Sequence, residues 1–277
     1  MPLAAGWGPF VVLLASSCTT SVEDRSDETA AETSQELSFA DARQLIAAGR
    51  FDEAVTRLRL DRKGGLPASV IPVATRVLQE RGWDRLASGD AAAAVADYDR
   101  IVKLAPNLEP SLWQRGIAHY YAGKFQEGAT QFEVHRLVNP ADVENPVWHL
   151  LCLARTPGQT LESARRKMLP VGPDPRVPMA EIRDLFAGSG SVEAVDAAAT
   201  RAGSDSARLY ADLYIGLYHE ASGDPEKGLT FIRRAAESPL RGSGMGQIAA
   251  AHVRIRKAEA AASATDNPEP ASDADRP

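Results

Sequence analysis

Four side chains of this chain have the types and spacing to do chemistry: His119, His135, His149 and Cys152. His149 and Cys152 stand at i and i+3, which puts an imidazole and a thiol on one face of a helix. His135 falls late in the preceding helical segment, where packing brings it near the helix that bears His149. A transition metal accepts such nitrogen and sulfur ligands, so a metal site at His135, His149 and Cys152 is one expectation. The competing expectation is packing, because free cysteine is among the most buried residue types and a helical-core imidazole is usually satisfied where it sits. No Gly-rich phosphate loop, H-E-x-x-H, G-x-S-x-G elbow or paired CxxC occurs. The residues therefore predict a non-enzymatic chain with no catalytic group and no cofactor.

One more thiol has a different setting. Residues 1–18 read MPLAAGWGPFVVLLASSC, with a short apolar run from Phe10 to Leu14 and the small residues Ala15, Ser16 and Ser17 just before Cys18. This resembles a bacterial lipoprotein signal peptide with its lipobox. The resemblance implies cleavage before Cys18, a diacylglycerol on its sulfur and acylation of the new amine. Each buried methylene of such an anchor is worth about 0.8 kcal/mol, so several chains hold firmly. Thr19 at the next position favours, by the same resemblance, the outer membrane facing the periplasm. The sequence offers no apolar run of roughly 18 residues, so the lipid is the expected membrane contact. A net charge of −6 argues against nucleic acid, which needs a basic face.

The elements that position these groups repeat. Across 75–142 the two halves match at a fixed offset of 34 residues: Leu78 with Leu112, Gly82 with Gly116, Gly89 with Gly123, Tyr98 with Phe132, Pro106 with Pro140. A period of this length with small, aromatic and Pro positions predicts stacked helix–turn–helix units. Gly82 and Gly116 fall mid-helix, where Gly costs about 1 kcal/mol against Ala, so close approach of a second helix is the expected reason for them. Gly89 and Gly123 suit the left-handed residue that ends a first helix. The two prolines stand where the second helix must stop.

These residues resemble tetratricopeptide (TPR) repeats, and the expected fold is all-α, a TPR-like helical-hairpin solenoid with a C-terminal capping helix over 246–262. The first-helix positions that the family fills with Trp, Leu and Tyr read Leu78, Arg81 and Arg85 in one repeat, and Leu112, Arg115 and His119 in the next. The expected organisation is a signal peptide over 1–18, a disordered acidic tether over 19–37, a helical domain over 38–262 and a disordered tail over 263–277. The clearest repeats are 75–108, 109–142 and 209–242. A first helical pair is expected within 38–59, a helix over 147–155, a long irregular connection over 156–178, and a shorter pair over 179–201.

In the TPR frame the concave groove is lined by Gln79, Trp83, Trp113, Ile117, Tyr120, Tyr121, Tyr210, Leu213 and Leu217, and it takes an extended peptide or a partner helix. Trp83 and Trp113 are the expected anchors. Arg81, Arg85 and Arg115 are expected to be solvated or paired with Asp84 and Asp97 rather than to clamp a carboxylate. The phrases GIAHYYAGKFQEGATQFE and LYADLYIGLYHEASGDPEKG resemble the NlpI-type periplasmic TPR lipoproteins. That family implies a homodimeric adaptor bringing periplasmic proteases and peptidoglycan hydrolases together. A lipoprotein that assists pilus or secretin assembly is the alternative.

Overall fold

The computed structural model describes residues 39–60 and 65–266; Cys18, the signal peptide, the tether and the tail beyond 266 lie outside them. Among the described residues the fold is all-α. The helices are α1 (Phe39–Ala47), α2 (Phe51–Arg57), α3 (Ile71–Ser88), α4 (Ala91–Leu104), α5 (Trp113–Tyr121), α6 (Phe125–His135) and α7 (Glu144–Arg155). They continue as α8 (Leu161–Arg165), α9 (Met179–Ala187), α10 (Val192–Ala202), α11 (Asp205–Ala221), α12 (Pro225–Ala236) and α13 (Gly244–Asp266). The most extensive packing is within consecutive pairs, above all α11 with α12 and α3 with α4.

Local chemistry sets these boundaries. Gly89 closes α3 at φ 97°, and the next residue, Asp90, opens α4 by accepting from the Ala93 amide at 3.0 Å. Ser191, Ser204 and Asp224 cap α10, α11 and α12 in the same manner. Each such cap is worth about 1 kcal/mol.

The mid-helix glycines are where pairs close up. A Cβ on Gly116 would stand 2.6 Å from the Phe132 ring, and one on Gly82 would stand 3.1 Å from the Tyr98 ring. In the later pair a Cβ on Gly216 would stand 2.4 Å from Ile232 and 2.7 Å from the Gly228 carbonyl oxygen. The ring or branched side chain of the second helix therefore occupies the very volume that a methyl would take. Tyr98, Phe132 and Ile232 are all fully buried as a result.

Several details differ from the sequence expectation. A 3-10 helix, Pro106–Ser111, follows α4, so the first helix of the 109–142 repeat begins only at Trp113. Pro106 and Pro110 cannot donate to an α-helix, which explains the tighter turn. Helix α7 begins at Glu144 rather than 147, and every residue from Glu144 to Leu153 is buried. The connection over 156–178 contains one short helix, α8, started by the reciprocal capping of Thr160 and Ser163. Helix α13 runs to Asp266, past the expected end at 262, and packs on α3 and α11 as well as on α12. It therefore does more than cap the last pair.

The close-packed glycines give a direct test. Replacing Gly216 by Ala is expected to destabilise the chain by about 1–3 kcal/mol in urea unfolding, because backbone as well as side chain blocks the new methyl. Gly82→Ala, whose nearest neighbours are side-chain atoms of Tyr98 and Asp97 at 3.1 Å or more, is expected to cost less. A gain in stability at Gly216, as in an open helix, would contradict this packing.

Candidate functional site

The expected groove residues have different fates. Ile117 (0%), Tyr120 (3%), Tyr121 (8%), Leu213 (0%) and Leu217 (0%) are buried in the core and do not line an open surface. Two helices fill the face they would have formed. Trp148 of α7 sits against the Tyr120 and Tyr121 rings, with centroids 5.4 and 6.1 Å away. Helix α13 covers more of it, its His252 ring lying 5.7 Å from that of Tyr121. The physical reason is apolar area: a face carrying this many aromatic and aliphatic groups is stabilised by whatever helix of the chain can cover it.

Gln79, Trp83, Trp113 and Tyr210 keep part of their surface in solvent. Trp83 and Trp113 meet edge to face at 5.8 Å, and the Trp83 indole N–H donates to Gln247 of α13. Tyr210 stacks on Tyr214 with an interplanar angle of 12°, beneath the Arg176 guanidinium.

Two buried charged clusters, neither visible in the sequence, organise this region. In the first, Glu220 of α11 (8% exposed) accepts from Arg155 of α7 at 2.9 Å and from Arg256 of α13 at 2.5 Å. His252, itself fully buried, lies with Nε2 2.8 Å from Glu220 while Nδ1 accepts from the Tyr121 hydroxyl at 3.1 Å. Burial raises the cost of the Glu220 charge, but His252 and Arg256 outweigh it and hold the carboxyl at about 2. Burial keeps His252 below its ordinary range.

In the second cluster Arg176, from the 156–178 connection, pairs with Asp142, Glu144 and Asp174, each at 2.6 Å. The Tyr214 hydroxyl donates to Glu144 at 2.6 Å, and the Trp148 indole N–H donates to that hydroxyl at 3.1 Å. One guanidinium cannot neutralise three carboxylates. Burial, with Asp142 beside it, pushes Glu144 up to about 7, whereas hydrogen bonds from Arg176 and from the Val143 amide hold Asp174 down. This cluster fastens the long connection to α7 and α11.

Arg81 and Arg85 pair with buried Asp97, at 2.6 and 2.8 Å, in agreement with one expected pairing; Arg81 also reaches Asp52. Asp84 instead lines a cleft of about 530 Å³ with Ser88, Arg241, Gln247 and Arg254. Arg115 pairs with Asp99 at 2.8 Å and donates to Gln131 at 2.8 Å.

The metal expectation fails on geometry. Among the described residues no three His, Cys, Asp or Glu side chains converge where an ion could be held. His135 donates through Nδ1 to the Pro110 carbonyl at 2.7 Å, and His149 lies 3.4 Å from Glu133. The Cys152 sulfur fills the space beside Gly128, 2.8 Å from where a Cβ would be, and burial pushes its thiol well above the ordinary range. His119 is held neutral at about 4, by burial and by Arg115. All four are packing residues.

No protein-family model matches this chain, and no curated protein is significantly similar to it. Among the described residues no helix is long and apolar enough to cross a membrane.

Glu144 yields a signed pH prediction. Its carboxyl titrates near 7 in the folded chain and near 4.5 when unfolded, so protonation favours the fold, and the gain present below the lower value is lost as pH rises through 7. Relative to Glu144→Gln, the wild type is expected to gain up to about 1.4 kcal/mol per pH unit in urea unfolding as pH falls from 7 towards 5. A difference that stays flat with pH would remove Glu144 from this role.

Proposed function

We propose that this chain is a TPR-like helical-hairpin scaffold that carries no catalysis of its own, binds other proteins, and is held at the cell envelope by a lipid on Cys18. The observation that carries the reading is the recurrence of one contact. Gly82 with Tyr98, Gly116 with Phe132 and Gly216 with Ile232 are the same first-helix to second-helix approach, made in three hairpins of one chain. Stacked hairpins of this kind present extended surfaces suited to binding a partner. By the resemblance of its repeat phrases to NlpI-type lipoproteins, the partners are periplasmic proteases or peptidoglycan hydrolases. The partly exposed pair Trp83 and Trp113 is the proposed contact, since Trp is among the side chains that most often anchor a partner.

Two measurements test this. The wild-type chain is expected to fractionate with the outer membrane and Cys18→Ser to be released; a wild type found wholly in the soluble fraction rejects the anchor. Affinity capture from envelope extract is expected to bring down hydrolases or proteases with wild type and to lose most of them with Trp83→Ala/Trp113→Ala. Recovery of pilus or secretin components instead would move the chain to an assembly role.

A further inference from the structure

A cleft of about 510 Å³ opens where α2 meets the α3 and α4 pair. Its lining joins the aliphatic side chains of Val55, Leu60 and Leu78 to the guanidinium groups of Arg81, Arg85 and Arg100. An apolar cavity of this size with a few convergent charged groups suits a small ligand or the end of a chain. The concentration of cations is local, since the whole chain carries a net charge of −6.

The charges around the cleft do not cancel. Asp97, 3% exposed, takes Arg81 at 2.6 Å and Arg85 at 2.8 Å. Asp52 brings a second carboxylate from α2. Its side chain is 84% exposed and lies 2.7 Å from Arg81 Nη1 and 3.6 Å from Arg85 Nη2. Arg100 donates to the Leu60 carbonyl and, among the described residues, meets no carboxylate. Three guanidinium groups therefore stand against two carboxylates, and one of those two is held only by an exposed ion pair, the kind that contributes least. The position of Asp52 also shows what these groups accept: with Asp97 satisfied, Arg81 and Arg85 still bring one nitrogen each towards the same carboxylate oxygen.

We propose that this cleft binds a monocarboxylate carried on a short aliphatic body. Arg100 takes the carboxylate together with the Arg81 and Arg85 nitrogens that Asp52 now occupies, and the body lies on Val55, Leu60 and Leu78. Asp52 is then an internal competitor. A monoanion matches the single uncompensated positive charge, whereas a phosphate monoester would bring about twice that charge. Two sources carry this chemistry, the C-terminal residue of a partner chain and a free aliphatic acid. The site needs neither the lipid anchor nor the scaffold reading.

Calorimetric titration of the full chain tests this. N-acetyl-leucine, which has the carboxylate, a branched body and the amide of a chain end, is expected to bind saturably. N-acetyl-leucinamide and acetate each lack one of the two features and are expected to bind at least roughly tenfold more weakly. Asp52→Asn is expected to tighten N-acetyl-leucine roughly two- to fivefold, because a competing exposed ion pair is removed. Arg100→Gln, which keeps a donor for the Leu60 carbonyl, is expected to weaken it roughly tenfold. Arg81 and Arg85 are left in place, since removing either strands buried Asp97. Should Arg100→Gln fail to fold, Asp52→Asn decides alone, as its side chain is largely in solvent. Octanoate binding more tightly than N-acetyl-leucine assigns the site to free aliphatic acids, and the reverse order assigns it to a chain end; both support the shared chemistry. Absence of saturable binding to wild type and to Asp52→Asn overturns the proposal, as does N-acetyl-leucine binding that neither substitution moves.

Discussion

The packing of the hairpins depends on a missing atom. At Gly116 and Gly216 the first helix presents bare backbone, and the side chain of the second helix moves into the space a methyl would fill. That approach buries Phe132 and Ile232 fully and fixes how α5 meets α6 and how α11 meets α12. Close packing transmits such a constraint, because a shift of a few tenths of an ångström at one contact must be absorbed by its neighbours. The glycines sacrifice helix propensity, and the interhelix contact offsets that loss.

Charge takes over where apolar packing is thin. Arg81 of α3 and Arg115 of α5 each turn to a polar partner on the second helix of their own pair, Asp97 and Gln131 respectively. A buried pair of this kind contributes little net stability over an apolar one, but removing one member strands the other. The same logic governs Glu220, which ties α7, α11 and α13 together, and Arg176, which ties the irregular 156–178 connection to α7 and α11.

Covering of the inner face distinguishes this chain from an open stack. Helix α7 is buried along its whole first ten residues and α13 folds back to reach α3, so aromatic groups that would line a groove become core. What remains at the surface is a rim, where half-buried Trp83 donates to Gln247 of the covering helix and half-buried Trp113 packs edge to face on Trp83.

The sequence by itself determined the helical class, the hairpins and the close approaches, since these depend on residues within one repeat: a period, a capping residue after a glycine, a small residue opposite an aromatic. The α9–α10 pair and the left-handed ends at Gly89 and Gly123 were legible for the same reason. Only the tertiary structure decided which faces are covered. Whether Tyr121 lines a groove or meets His252, more than a hundred positions later, depends on long-range packing that no local pattern encodes, and the Glu220 and Glu144 clusters likewise draw on partners from other helices and from the 156–178 connection. The i, i+3 spacing of His149 and Cys152 correctly places two side chains on one side of a helix; it cannot say that the space between them and their neighbours is filled by Gly128 and Glu133 instead of an ion.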